Sequence, residues 1–200
     1  MEVKAYENPL PFIYIENLYT EEELKGIWAE LDYYQANGNI LGNGTRPAKD
    51  ENDQEKTVKT GIFTDNVFYN REHSNILTLN RKIFENNIIC DNPDSWYFRH
   101  FSPNQDFTLT SYYEDGGVYL PHTDNANVTV ITWLYKEPKK FKGGDFHFPE
   151  HNIDIKCLHN HAVAFPGQAA HAVDMVKMDK EDCGKGLGRY AISQFLSFKD

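Results

Sequence analysis

Val118-Tyr119-Leu120-Pro121-His122-Thr123-Asp124 is the stretch on which the reading of this chain turns. Successive side chains of a β-strand point to opposite faces, so a histidine and a carboxylate at i and i+2 share one face. Outward from it, His171 stands 47 positions beyond Asp124, and the strand-like run Arg189-Tyr190-Ala191-Ile192-Ser193-Gln194-Phe195-Leu196-Ser197-Phe198 follows. A second histidine delivered by a distant strand completes a 2-His-1-carboxylate facial set, the donor pattern of non-haem Fe(II) with three coordination positions left open. His122, Asp124 and His171 are therefore the candidate metal ligands.

A lone His-x-Asp arises often by chance, so the text around it matters. Tyr113-Glu114-Asp115-Gly116-Gly117-Val118 reads as a hairpin leading into the motif. Lys142-Gly143-Gly144-Asp145-Phe146-His147-Phe148 puts two glycines where backbone must turn tightly before a strand. Phe165-Pro166-Gly167-Gln168-Ala169-Ala170-His171 ends one strand, turns at Pro-Gly and carries a histidine into the next.

Taken together and in this order, these four motifs across residues 107 to 198 resemble the Fe(II)- and 2-oxoglutarate-dependent dioxygenases, and among them the prolyl 4-hydroxylase-like branch. Pro11-Phe12-Ile13-Tyr14-Ile15, leading into a Glu-rich helix start, is similar to that branch's N-terminal element. The resemblance implies a double-stranded β-helix, Fe(II), 2-oxoglutarate and O2 as cofactors, ascorbate as an accompanying reductant, and a prolyl residue in a peptide or protein as the leading substrate. The product pair would include succinate and CO2. A free amino acid or other small molecule is the alternative substrate, and a non-catalytic cupin-like binding module is the alternative from another class.

The far carboxylate of 2-oxoglutarate needs a cation in a low-dielectric pocket. The family places it on the last core strand, nine or ten positions after the second histidine. Here Lys180 lies nine positions after His171 and Arg189 lies 18 after it. Arg189 is favoured because it opens a clean strand, whereas Met178 to Gly186 reads as an inserted loop. Alternation puts Ala191 and Ser193 on the inward face with Arg189. Tyr113 is the candidate phenol for the cosubstrate, with Tyr112 the rival if the strand phase is shifted by one. Thr129, Ile131 and Trp133 face inward on the following strand, where Thr129 offers a hydroxyl and Trp133 a wall.

Length and composition set the wider frame. Two hundred residues, 40 % hydrophobic and 14 % aromatic, suit a single domain with a real core. The formal charge of −10 speaks against a protein that rides on nucleic acid, and favours a basic peptide or a neutral small molecule. Residues 1 to 60 carry twelve Asp or Glu against six Lys or Arg, read as a solvated face. Three cysteines without a Cys-x-x-Cys pair indicate neither a disulfide framework nor a zinc ribbon. No run of apolar residues is long enough for a membrane span, and no signal-like start is present, so an intracellular, cytoplasmic location is expected. Oligomeric state leaves no mark on the sequence.

The expected fold class is α+β: a double-stranded β-helix (jelly-roll) core over residues 96 to 200, with N-terminal helices from residues 1 to 95 packed on its major sheet. Thr20-Glu21-Glu22-Glu23 is a capping box with Tyr19 stapled onto Leu24, and it opens a helix over about 20 to 35. A second helix is expected over 71 to 87. Residues 36 to 60 read as a loop that closes on an extended peptide, with Arg46 or Lys49 able to touch it. Strands are expected at 96–101, 107–113, 118–122, 128–135, 144–148, 153–156, 162–165, 171–176 and 189–198.

Overall fold

The structure, a computed structural model, describes residues 1–38 and 57–198. Most of the expected 36–60 loop, with Arg46 and Lys49, lies outside the described residues. In chain order the elements are β1 (Glu2–Tyr6), β2 (Phe12–Glu16), α1 (Glu21–Ala36), β3 (Thr57–Val58), β4 (Thr60–Phe63), α2 (Asn75–Leu79), β5 (Gln105–Tyr113), β6 (Val118–His122), β7 (Val128–Leu134), β8 (Phe141–Lys142), β9 (Phe146–Phe148), β10 (Ile153–Ile155), β11 (His161–Pro166), β12 (His171–Val173), β13 (Lys177–Met178) and β14 (Arg189–Ser197).

Two antiparallel sheets face each other. The major sheet runs β1-β2-β11-β7-β14-β5-β4 and the minor one β10-β9-β12-β6-β3, with β13 and β8 pairing separately. β7 explains the layering. All seven of its residues are buried, because both of its faces are covered. Val128, Val130 and Leu134 point outward into a core shared with Leu24, Ile27, Leu31 and Tyr34 of α1. Ile131 and Trp133 point inward and pack with Phe146, Phe165 and Val173 between the sheets. The helical layer therefore covers the outside of the major sheet, and the space between the sheets is left for the site.

α1 starts at the expected capping box: Glu23 N–H donates to the Thr20 hydroxyl at 3.3 Å and Thr20 N–H to the Glu23 carboxylate at 2.7 Å. Its buried Glu30 accepts from the Ser74 hydroxyl at 2.7 Å and from Ile76 N–H at 3.1 Å, tying α2 to α1.

Three expectations are corrected. The helix over 71–87 is broken into a 3-10 turn at Arg71–His73, the short α2 and another 3-10 turn at Asn80–Phe84. Ser74 restarts the chain as an N-cap, and Asn80 is drawn away to the Tyr19 hydroxyl and Thr108. Residues 96–101 form turns, with no partner strand among the described residues; Tyr97 and Phe98 meet edge to face at 5.0 Å and Phe98 is buried in the outer layer. The N-terminal region contributes strands as well as helices: β1, β2 and β4 widen the major sheet and β3 edges the minor one. Among the described residues no helix is long and apolar enough to cross a membrane.

Candidate metal centre

His122 closes β6, His171 opens β12, and the two are direct partners in the minor sheet. Asp124 follows two residues after the strand end, where its N–H donates to the Gly167 carbonyl at 2.7 Å. Gly167 permits that approach: a Cβ there would stand 2.3 Å from the Ala126 carbonyl oxygen. The Pro-Gly turn thus serves to hold the Asp124 backbone as well as to deliver His171.

One ligating atom from each of His122, Asp124 and His171 lies within 4.8 Å of the others. His122 Nδ1–H donates to the Leu120 carbonyl at 2.9 Å and His171 Nδ1–H to the Ala169 carbonyl at 3.0 Å. Both rings are thereby held in the tautomer that turns Nε2 toward Asp124, at 3.8 Å and 3.4 Å respectively. Burial lowers the His171 pKa against the opposing pull of Asp124, which favours the neutral, ligating imidazole. Tyr119 stacks on His122 with ring centroids 3.5 Å apart, and Phe165 packs edge-on to His171 at 4.7 Å. This donor set, with its orienting carbonyls, fits a divalent metal.

The three residues line a cavity between the sheets. Arg189 lines the same cavity, 1 % exposed, its guanidinium 4.8 Å from the centre of the Tyr113 ring. Its Nε and Nη1 are buried without a hydrogen-bond partner among the described residues. A buried cation with unmet donors is costly unless an anion completes it, so the residues also fit a carboxylate. Gly144 makes room for it: a Cβ there would sit 2.8 Å from Arg189 Cδ, and its φ of +71° favours glycine in any case.

Ala191 and Ser193 line the same cavity, as does Tyr113, whereas Tyr112 points to the outer core and donates to Glu114 at 2.7 Å. Lys180 is exposed and outside the lining. Thr129 does not face the cavity as a free hydroxyl; it donates to Asp124 Oδ2 at 2.8 Å and so orients a candidate metal ligand. Trp133 shares the inward face of β7 but stands behind the wall, fully buried, 6.0 Å from the Phe146 ring; Ile131 supplies the wall instead. His147 is engaged with Asp154 and Asp174, and His159 Nδ1 accepts from Tyr135 N–H at 3.2 Å. Sequence reasoning missed Lys59, which lies between β3 and β4 and lines the cavity. Nothing local marks it, since it sits among polar residues without periodicity.

Residues 107–197 match the model of the 2OG-Fe(II) oxygenase superfamily. No curated protein matches the chain. Among solved structures, the chain is similar to a prolyl-4-hydroxylase from Pseudomonas putida, with 13 % identity, a TM-score of 0.56, and 96 % of this chain and 95 % of that one covered. It is likewise similar to a prolyl hydroxylase from Trichoplax adhaerens in complex with a hypoxia inducible factor oxygen degradation domain peptide fragment, with 13 % identity, a TM-score of 0.58, and 95 % and 84 % covered. A third is the viral collagen prolyl hydroxylase of Paramecium Bursaria Chlorella virus-1, solved as a 2OG complex, with 13 % identity, a TM-score of 0.55, and 92 % and 94 % covered. At such identity these likenesses concern the fold. Residues 107–197, which carry the three clustered candidate ligands and Arg189, match a superfamily whose cofactors are Fe(II), 2-oxoglutarate and O2, and the chain shares its fold with prolyl hydroxylases.

Proposed function

We propose that the protein hydroxylates a C–H bond, with a prolyl residue in a peptide or protein as the leading substrate. The observation that carries this is one cavity holding both halves of the chemistry: the His122, Asp124 and His171 cluster, and a buried Arg189 with unmet donors. The three clustered residues would hold iron. Arg189 would hold the far carboxylate of 2-oxoglutarate, with the Tyr113 phenol and the Ser193 hydroxyl beside it. Bound there, iron and 2-oxoglutarate supply the oxidising power: O2 gives one atom to the succinate formed with release of CO2, and one to the C–H bond.

The chain's own residues orient and shield. The Leu120 and Ala169 carbonyls fix the two histidine tautomers, and Thr129 fixes the Asp124 carboxylate. Leu109, Ile131, Val173 and Phe195 supply apolar wall that keeps water from the reacting centre. A neighbouring groove of about 1230 Å³ shares Asp124 and Phe195 with the cavity and is flanked by Phe63 and Phe107, whose rings lie 5.0 Å apart. Gln105 and Asn125 add amides to its lining. Aromatic faces with hydrogen-bonding amides suit an extended, proline-containing chain. The peptide bound to the Trichoplax relative supports the same substrate class here.

An anaerobic titration with Fe(II) and 2-oxoglutarate tests the reading, following the visible charge-transfer absorption of the bidentate complex. The band is expected in the wild type, absent in His171→Ala, and displaced to much higher 2-oxoglutarate concentration in Arg189→Ala. Bound iron without a band in the wild type would rule out the cosubstrate and leave the cupin-like binding module as the better account.

A further inference from the structure

We infer that Lys59 is a specificity-determining residue whose ammonium pairs with a carboxylate on the substrate, next to the C–H bond that reacts. The inference rests on the oxygenase reading of the same cavity and names the substrate chemistry more narrowly.

Lys59 is held inward. It lies where the chain crosses from the edge of the minor sheet at β3 to the edge of the major sheet at β4, a place where a lysine is free to extend into water. Instead its Nζ donates to the buried Ser111 hydroxyl at 3.1 Å, on the face of β5 that also presents Leu109 and Tyr113 to the cavity. The ammonium sits 4.7 Å from the centre of the Tyr119 ring and 5.8 Å from that of Tyr113. Among the described residues it makes no ion pair. A hydroxyl and two ring faces compensate an ammonium only in part when water is withdrawn.

The cavity's charges point to the missing partner. Its lining holds two cations, Lys59 and Arg189, against one carboxylate, Asp124. A divalent metal and a dicarboxylate cosubstrate offset each other, so one positive charge remains for a further anion. Arg189 and Lys59 both approach the Tyr113 ring, but Lys59 also stands over Tyr119, the ring that stacks on His122. The remaining positive charge is therefore on the metal-facing side, where substrate must come. The net charge of the whole chain favours basic or neutral ligands, but interactions beyond a Debye length are screened and the local ammonium decides.

A carboxylate could belong to a free amino acid or to an acidic residue flanking a prolyl residue, and paired probes separate the two: L-proline against L-prolinamide, and acetylated, amidated Asp-Pro-Asp against Ala-Pro-Ala. Binding to the Zn(II)- and 2-oxoglutarate-loaded protein is read by calorimetry, and succinate formation by the iron-loaded protein in parallel. The wild type should prefer the carboxylate-bearing member of one pair by about 10-fold or more, as expected for a partly buried charge pair. Lys59→Gln should erase that preference and Lys59→Arg restore part of it, with the 2-oxoglutarate affinity from the charge-transfer band kept within about twofold. The pair that shows the preference identifies the source of the carboxylate. A wild type that shows the band but ranks both pairs equally, or binds neither carboxylate probe, overturns the inference alone. So does a Lys59→Gln whose loss falls on 2-oxoglutarate. A wild type without the band overturns the oxygenase reading as well.

Discussion

The two faces of the major sheet are made from the same strands and do different work. On β7 and β14 the outward residues Val128, Val130, Leu134, Tyr190, Ile192 and Leu196 join the core beneath α1. The inward residues of these strands, among them Thr129, Ile131, Arg189 and Ser193, instead hold the candidate ligand Asp124 in place or line the cavity. Alternation along a strand lets one segment stabilise the fold and serve the chemistry without either face constraining the other. It also predicts that substitutions one residue apart separate into stability effects and site effects.

Arg189→Ala should break the inner face most severely. It removes the buried cation, and loss of one member of a desolvated charge pair costs roughly 2–5 kcal/mol, or at least about 30-fold in 2-oxoglutarate affinity. Equilibrium titration of the charge-transfer band reads it, and an unchanged affinity would place the carboxylate elsewhere. Leu134→Ala is the outer-face counterpart. It should cost about 2–5 kcal/mol of stability, some 4–20 °C in melting temperature for a chain of this size, with 2-oxoglutarate affinity of the folded protein unchanged. If Leu134→Ala also lowered that affinity, the independence of the two faces would fail.

Smaller changes sharpen the same contrast. Thr129→Val removes the hydroxyl that steadies Asp124 while nearly keeping side-chain volume, so Fe(II) affinity should fall about 10-fold or more with little change in melting temperature. Metal competition with a chelator would measure it. The weakest effect lies on the minor sheet, remote from either face. There His147 Nδ1 is 2.6 Å from Asp154 and its Nε2 2.8 Å from Asp174. Burial pulls the imidazole pKa down, and the two carboxylates overcome that and raise it above its ordinary value. A raised folded-state pKa means the pairing stabilises fully below about pH 6.5, the unfolded value, and is lost as pH rises through the folded value. The wild type should therefore lose melting temperature relative to His147→Gln as pH rises above 6.5. Parallel curves for the two proteins would show that the pair contributes nothing.

The legible parts of the chain are those whose logic is short-range. The capping box at Thr20 and the strands β5, β6, β7, β11 and β14 follow from neighbours a few residues apart. Asp124 is different: it lies past the end of β6, and its place beside His122 depends on the distant Gly167 carbonyl. The failures have a common cause. Trp96 to Phe101 carries a strand-like aromatic composition, but a strand needs a partner edge, and none among the described residues reaches it. Ile76 and Ile83 keep a helical spacing while Ser74 and Asn80 take their side chains to other partners and interrupt the helix between them. β3 has two residues and β4 four, too short for a period to register.

By itself the sequence determined the donor types, their order and the alternation that sends Arg189, Ala191 and Ser193 to one side, because the geometry of a strand is local. Only the tertiary structure decided which inward residues reach the cavity. It set Trp133 behind Ile131, turned Thr129 to Asp124, opened the space at Gly144 for Arg189, and folded Lys59 inward beside Tyr119. Those outcomes depend on how closely two sheets approach and where their edges cross, and the distances involved join residues far apart in the chain.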